Sequence, residues 1–394
     1  MAQKVVAMET KLRAVLVAGV AGVRVTELCA ELEISRQTFY KYKRRWEAEG
    51  PAGLVERSRR PHRMPGLIPV ELEDEIVRLR KTLPVDKGAQ TIAYHLARDG
   101  WAVPSVATIH RALVRRGLVC AQPEKRPRSS WRRFEWPRSN DAWQIDATCW
   151  ALRSGRDVWV MDILDDHSRL VVAARVCDGP TGDAAWNAFC DATGRYGMPA
   201  HVMSDNGSCF TGRCFSGGEA AFERDLRALG VRHIRSTPGH PQTCGKIERF
   251  HQTLKRWLRT QKLARSHRQL QDQLDAFVLF YNRDRPHRSL AGATPTERWE
   301  SSERAAPTAA IAEAPHASLH KVAANNLIGW GKHRISVGPG YVGQRLLIIA
   351  RDDNLAVFGP NGLIQRVHID RTRGYQLSGR PAGRRPKIKT RPRS

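Results

Sequence analysis

Between residues 141 and 258 strand-like and helix-like stretches follow one another in an order that few folds accommodate. Short apolar runs around Asp146, at 158–164 and at 170–176 read as three strands. The polar turn Asp165-Asp-His-Ser-Arg joins the second to the third, which makes the three an antiparallel meander. Residues 181–196 carry helical spacing with Thr181 or Asp183 as the cap, and Gly197-Met-Pro199 ends them. A short strand at 200–204, a helix at 220–229 and a strand at 231–235 follow. A turn-rich loop with Pro238, Gly239 and Pro241 then leads into a helix that begins after Gly245, its apolar positions at Ile247, Phe250, Leu254, Trp257 and Leu258. Three strands, helix, strand, helix, strand, helix is an α/β order.

Three carboxylates sit at chosen points of that frame. Glu248 lies in the first turn of the last helix, among Lys246, Arg249, His251, Lys255 and Arg256. Alone it reads as a solvated surface acid with local ion pairs. Asp146, in Trp143-Gln-Ile-Asp-Ala-Thr, and Asp205, in Ser204-Asp-Asn-Gly, each lie at or near the end of a strand-like run. Taken in order, these two blocks and Gly-Lys-Ile-Glu-Arg-Phe-His-Gln-Thr-Leu-Lys (245–255) resemble the catalytic core of DDE transposases and integrases. The likeness is greatest to the retroviral-integrase-like transposases of bacterial insertion sequences. The stretch Tyr281-Asn-Arg-Asp-Arg-Pro-His287-Arg-Ser-Leu290, followed by Thr294-Pro295, is similar to theirs as well. The resemblance covers about residues 137–300.

The resemblance implies an RNase H-like core whose Asp146, Asp205 and Glu248 are both the catalytic residues and the metal ligands. Two divalent ions can serve the attacking and leaving oxygens of a phosphodiester, and Mg²⁺ prefers oxygen ligands. The cofactor expected is therefore Mg²⁺, two ions, with Mn²⁺ as a substitute. On the family pattern Asp146 bridges both ions, and Asp205 and Glu248 hold one each. Water would be activated for end nicking and a 3′-hydroxyl for strand transfer. Asn206, His240, Gln242 and Lys246 would line the DNA side of the site, with Lys246, Arg249 and Lys255 on phosphates. Asp141, Asp162, Asp165 and Asp166 compete with Asp146, and Asp162, on the neighbouring strand, is the strongest rival. Ser204 and Tyr281 are poor candidates for a covalent nucleophile. His287 stands open between an active-site edge and a brace for Tyr281. Between Asp205 and Glu248 lie 42 residues, a longer gap than in retroviral integrases. The excess fits a surface-loop insertion at 212–218, which chains tolerate.

The bulk properties point the same way. Lys and Arg number 65 against 39 acids, a formal charge of +26 over 394 residues. Such a surplus favours a polyanionic partner, here double-stranded DNA, over a small-molecule substrate or a membrane surface. Eight Cys without a Cys-x-x-Cys pair read as free thiols in a reducing, cytoplasmic setting where the protein would associate with the nucleoid. The apolar run at 14–23 is closed by Arg24 and followed by helical spacing, so it reads as a helix and not a secretory leader.

Upstream of the core, residues 1–50 read as a helix-turn-helix domain, with helices at about 10–20, 27–32 and 36–49 capped by Thr26 and Ser35. On the third, Arg36, Gln37, Thr38, Lys41 and Arg44 would meet DNA while Phe39, Tyr42 and Trp46 pack inward. A basic helix in an ordinary three-helix bundle is the competing reading. After a basic linker at 51–68, residues 69–120 repeat this logic, with Ile76, Leu79, Ile92, Leu96, Ile109 and Leu113 as core and Ser105 as a cap. In the basic linker 121–136, Trp131, Phe134 and Trp136 either stack on bases or dock on the core. Beyond the core (137–300) come an Ala-rich linker at 301–324, a small β-barrel of SH3-like type at 325–370 and a basic, disordered tail at 371–394. The fold class expected is thus multidomain: all-α helix-turn-helix modules, an α/β RNase H-like core and a small C-terminal β-barrel. The function expected is a transposase that cleaves element ends and joins them to target DNA, as a homo-oligomer once assembled on DNA. Two alternatives stand beside it: a domesticated DNA-binding regulator without catalysis, and an RNase H-like nuclease without joining activity.

Overall fold

The computed structural model describes residues 7–17, 23–55, 68–119, 135–212, 218–236, 245–309, 311 and 313–376. It divides into two compact units, residues 1–67 and 68–394. In the first, α1 (Met8–Val17), α2 (Val25–Glu31) and α3 (Arg36–Glu49) enclose Ala14, Leu28, Cys29 and Phe39. Ser35 caps α3, its hydroxyl accepting the Thr38 N–H at 3.1 Å. The break before it turns on Glu33, at φ 50°. Thr26 is not the cap of α2: Arg24 holds that position without a side-chain bond, and Thr26 lies inside the first turn.

The second unit opens with α4 (Val70–Thr82), α5 (Ala89–Arg98) and α6 (Val106–Arg115), whose core is Leu72, Ile76, Leu79, Ile92, Leu96, Ile109 and Leu113. Ser105 caps α6 through the Thr108 N–H at 3.2 Å. A sheet then forms from β1 (Ala142–Ala151), β2 (Asp157–Asp165) and β3 (Val171–Cys177). It continues after α7 (Gly182–Tyr196) with β4 (His201–Ser204) and, after α8 (Ala221–Ala228), with β5 (Arg232–Arg235). Its order is β3-β2-β1-β4-β5, the first three antiparallel and β4 and β5 parallel to β1. This is the RNase H-like arrangement. Of the two candidate caps of α7, Thr181 is the one used, accepting the Ala184 N–H at 3.1 Å.

Strand alternation separates two cores. Trp143, Ile145, Met161 and Ile163 face α7 and α8 with Trp186, Phe189, Phe222 and Leu226. Val158, Val160 and Leu164 face α9 (Gly245–Leu258) and α10 (His267–Leu279), against Ile247, Phe250, Leu254, Leu274 and Phe277. The outer edge of β3 is covered from this side: Asn282 exchanges two 3.0 Å hydrogen bonds with the Val171 backbone, and Gln271 bonds Val176 N–H and the Ala174 carbonyl at 2.9 Å.

After α11 (Pro295–Glu300) come β6 (Ala317–Lys321), β7 (Leu327–Trp330), β8 (His333–Ser336), β9 (Arg345–Arg351), β10 (Asn354–Gly359), β11 (Gly362–His368) and β12 (Tyr375–Gln376). They make one sheet of order β11-β10-β9-β6 and another of order β12-β8-β7, around Ile328, Ile335, Leu346, Ile348, Leu355 and Val357. Two differences from expectation follow. The described strands do not close into a barrel, because the segment between β8 and β9 turns through Gly338, Gly340 and Gly343, all at positive φ, and β9 pairs with β6 and β10 instead. In addition β6 falls in the Ala-rich stretch read as linker and β12, paired with β8, in the stretch read as a disordered tail. Among the described residues no helix is long and apolar enough to cross a membrane.

Both flanking domains of the second unit are fastened to the core by carboxylate–guanidinium pairs. Asp86 accepts from Arg285 at 2.5 and 2.8 Å and pairs with Arg256 at 3.0 Å. Arg98 pairs with Glu297 at 2.7 Å, and that bond, with the Thr294 N–H, holds the Glu297 carboxyl down at about 2. Beside it Gly292, at φ 96°, lets Tyr94 approach to where a Cβ would stand 2.6 Å from its ring. On the other side Arg351 reaches the fully buried Asp225 at 2.5 Å and stacks on Trp186 at 5.0 Å. Gly362 leaves only enough room for the Thr193 carbonyl, which a Cβ would meet at 2.3 Å. Removing one partner of a buried pair leaves the other uncompensated. Arg351→Ala is expected to lower stability by about 3 kcal/mol, read from the midpoint of urea unfolding followed by tryptophan fluorescence.

Candidate active site

The site grows from the middle of β1. Gln144 is buried on the α9 side, and its two amide ends work in opposite directions: Oε1 accepts the Ile247 N–H at 3.1 Å and Nε2 donates to Asp166 at 2.8 Å. Asp166, in the turn after β2, also accepts the Trp136 N–H at 3.0 Å and pairs with Lys246. The first turn of α9 is thereby pinned to the sheet, and Glu248, next in sequence, is exposed beside β1.

Asp146 is two residues along β1 on the same face, half-buried, with Oδ1 accepting the Ala147 N–H at 2.7 Å. Asp205 follows β4, is exposed, and caps its own turn through the Gly207 N–H at 2.9 Å. Burial raises the Asp146 carboxyl above the usual aspartate range; His251 and the Ala147 N–H oppose the rise, and the charges of Asp205 and Glu248 add to it. Asp146 is therefore within electrostatic reach of both other acids. Among the described residues no three His, Cys, Asp or Glu side chains close into a ready metal cage.

The rivals of Asp146 have other occupations. Asp141 is buried and accepts the Arg138 N–H at 2.7 Å. Asp165 accepts from Asn140 N–H and from Ser168 at 2.8 Å, holding the turn. Asp166 is the anchor just described. Asp162 is directly opposite Asp146 in the β1–β2 register and has no solvent exposure. Ser204 and Tyr281 are both buried, Ser204 donating to the Asp205 carbonyl at 2.8 Å. His287 is a brace, with its ring 6.2 Å from that of Tyr281 and its Nδ1 2.7 Å from the Ser289 hydroxyl. Trp136 docks on the core, stacked on His201 at 4.7 Å; Trp131 and Phe134 lie outside the described residues.

Of the residues expected on DNA, Arg36, Gln37, Lys41 and Arg44 are exposed on α3, while Thr38 is half-buried and taken up with the Ser35 cap. Arg249 is exposed beside Glu248, its guanidinium on Gln252 at 2.9 Å, and Lys255 is half-buried two turns on. Asn206 is exposed and donates to the Ser236 carbonyl at 3.0 Å. Lys246 differs from expectation: it is turned inward onto Asp166, and burial depresses its pKa. His240, Gln242 and most of the 212–218 loop lie outside the described residues. Sequence reading missed Gln144 and Asp166 as anchors and His251 as the neighbour of Asp146. The spacing of His251 from Glu248, three residues on one helix, was the available signal. Cys29, Cys149, Cys177, Cys190 and Cys209 are free thiols.

Comparison with known proteins agrees with this frame. Residues 137–241 and 229–295 each match an integrase core domain family, residues 10–62 a helix-turn-helix domain family and residues 38–113 a homeodomain-like domain family. A 39.2 kDa protein of insertion element IS476 from Xanthomonas euvesicatoria is 28% identical over 40% of this chain and 44% of its own length. A 31.7 kDa protein of insertion element IS407 from Burkholderia multivorans is 30% identical over 45% of this chain and 60% of its own length. The chain thus spans less than two thirds of either relative. The HTLV-2 integrase catalytic core domain, solved in complex with magnesium, aligns at 20% identity and a TM-score of 0.32 over 42% of this chain and 97% of that one. Helix-turn-helix domains followed by an integrase core define the class. Within it, the integrase-core matches and the insertion-element relatives support a DDE transposase of insertion-sequence type.

Because Asp146 holds its proton more tightly when folded, the folded chain binds more protons than the unfolded one just above the ordinary aspartate pKa. Stability therefore falls as pH rises from about 4 through that window. In metal-free protein Asp146→Asn should remove this fall and gain about 1 kcal/mol at neutral pH, measured by paired urea titrations across the pH range.

Proposed function

We propose that this chain binds the ends of a DNA element and joins them to target DNA. Asp146, Asp205 and Glu248 would act as its catalytic carboxylates. The observation that carries the reading is that Asp146, in mid-β1 of an RNase H-order sheet, feels the charges of both Asp205 and Glu248, in a chain that also has helix-turn-helix domains.

The donor set suits hard divalent cations. All three side chains offer oxygen, and a dication would oppose both the burial and the neighbouring negative charges that raise Asp146. Asp146, Asp205 and Glu248 would hold the Mg²⁺ ions, or Mn²⁺ in their place. When bound, the ions relieve charge on the attacking and leaving oxygens of the phosphodiester. The chain's own side chains do the rest. The Gln144–Asp166–Lys246 anchor keeps Glu248 at the sheet. Arg249 and Lys255 offer positive charge to backbone phosphates along α9, with Asn206 on the opposite rim. His240 and Gln242 belong to the same DNA side by resemblance. Lys246, already paired, acts through its anchor. On α3, Gln37 and Arg36 would reach base edges, and Lys41 and Arg44 phosphates. Pairing two ends requires at least two copies on DNA. A regulator without catalysis would not need two further acids whose charges act on Asp146.

The test uses full-length protein and duplexes from the DNA flanking its coding region. Glu248→Gln should lower metal-dependent nicking and joining by about 1,000-fold, the equivalent of several kcal/mol, with binding retained. Tight binding without cleavage by either protein, on every flanking duplex and with either metal, would support the regulator instead. Separately, Lys41→Ala should weaken binding alike on all duplexes and reduce the slope of log affinity against log salt by about 1.

A further inference from the structure

Asp162 is out of place by every local criterion. It lies on the apolar face of β2 between Val160 and Leu164, opposite Asp146 in register and with 0% exposure. Its Oδ1 has no hydrogen-bond partner among the described residues, and its Oδ2 faces the His251 ring. A buried carboxylate with an unpaired oxygen is costly, and like charges directly across a strand pair repel. An alanine or valine would continue the packing on either side.

What compensates is His251, on α9 one turn past Glu248 and itself nearly buried. Its Nε2 is 3.1 Å from Asp162 Oδ2, and its Nδ1 is 3.6 Å from Asp146 Oδ2. The other Asp146 oxygen is held by the Ala147 N–H. The imidazole therefore spans two carboxylates on adjacent strands from the helix that carries the third acid of the site.

We propose that Asp162 and His251 form a positioning pair: Asp162 orients the His251 ring, and His251 sets the rotamer of Asp146 and its spacing from Glu248. This rests on the reading of Asp146 and Glu248 as metal-binding carboxylates. Asp162 is too deep to reach DNA or a solvent-fed ion and is not itself a ligand; it acts through His251. The pair links β1, β2 and α9 at the point where the separation of two ligands must be held, and outer-shell partners of this kind typically tune metal affinity by 10- to 100-fold.

The test is Mn²⁺ binding to metal-free, full-length protein, followed by the electron paramagnetic resonance signal of the free ion. The variants are Asp146→Asn, Asp162→Asn, His251→Gln, His251→Asn and the double variant Asp162→Asn/His251→Gln. Asp146→Asn should lose the tight site. Asp162→Asn and His251→Gln should each weaken it by about 10-fold. The double variant should be no weaker than the worse single one, because the pair acts as a unit. His251→Asn, whose amide nitrogen stands in for Nδ1, should recover part of the loss. Wild-type affinity in Asp162→Asn and His251→Gln, with Asp146→Asn devoid of binding, overturns the proposal. Equal binding by wild type and Asp146→Asn instead removes the carboxylate site beneath it. Should Asp162→Asn fail to fold, shown by loss of the far-ultraviolet circular dichroism signal, the two His251 variants decide: identical affinities in them sink the pair.

Discussion

The start of helix α9 is fastened to the sheet by one buried amide and one buried carboxylate. Gln144 on β1 accepts the Ile247 N–H and donates to Asp166, while Asp166 takes Lys246 and the Trp136 N–H. A helix N-terminus has unsatisfied N–H groups, and a buried one must find partners. Here the partner is a side chain of the strand that also carries Asp146. The separation of Glu248 from Asp146 therefore follows from a short covalent path along β1 and two hydrogen bonds. Remove that tie and the first turn of α9 loses its backbone bond to β1, and an apolar stripe replaces it poorly because dispersion contacts have little direction.

The same chemistry recurs where the flanking domains meet the core. Asp86, Glu297 and Asp225 each take guanidinium groups from across a domain boundary. Arginine suits this use because its planar fork gives two directed bonds per carboxylate. At each junction a glycine lets backbone or ring approach more closely than a Cβ would allow, at Gly292 and Gly362. Directed bonds and close approach together define an orientation, where apolar contact alone would permit sliding.

This changes the meaning of the net charge of +26. Lys246, Arg98, Arg256, Arg285 and Arg351 are spent on internal carboxylates. The cations left for a polyanion are those facing outward, such as Arg36, Lys41, Arg44 and Arg249. Composition points to the class of partner; burial decides which side chains can meet it.

Local order was legible because it is written at short range. Hydrophobic period and capping chemistry mark α3 at Arg36–Glu49, the Ser105 cap of α6 and the strand-helix order of the core, since each depends on neighbours within a few residues. Asp205 and Glu248 stood out as acids at the ends of elements; Asp146, read as near a strand end, lies in the middle of β1. Strand β6 did not, because its five residues carry no aromatic and a weak alternation; its identity comes from pairing with β9. The open pair of C-terminal sheets, the inward turn of Lys246 and the placing of His251 between Asp146 and Asp162 were likewise invisible. Each joins residues tens of positions apart, and one residue's slip in the β1–β2 register would send Asp162 to the opposite face. The sequence by itself determined the elements, their order and the chemistry on offer. Tertiary structure alone decided which charges meet, because long-range register and burial set distance and dielectric, and these govern the energy of a charge.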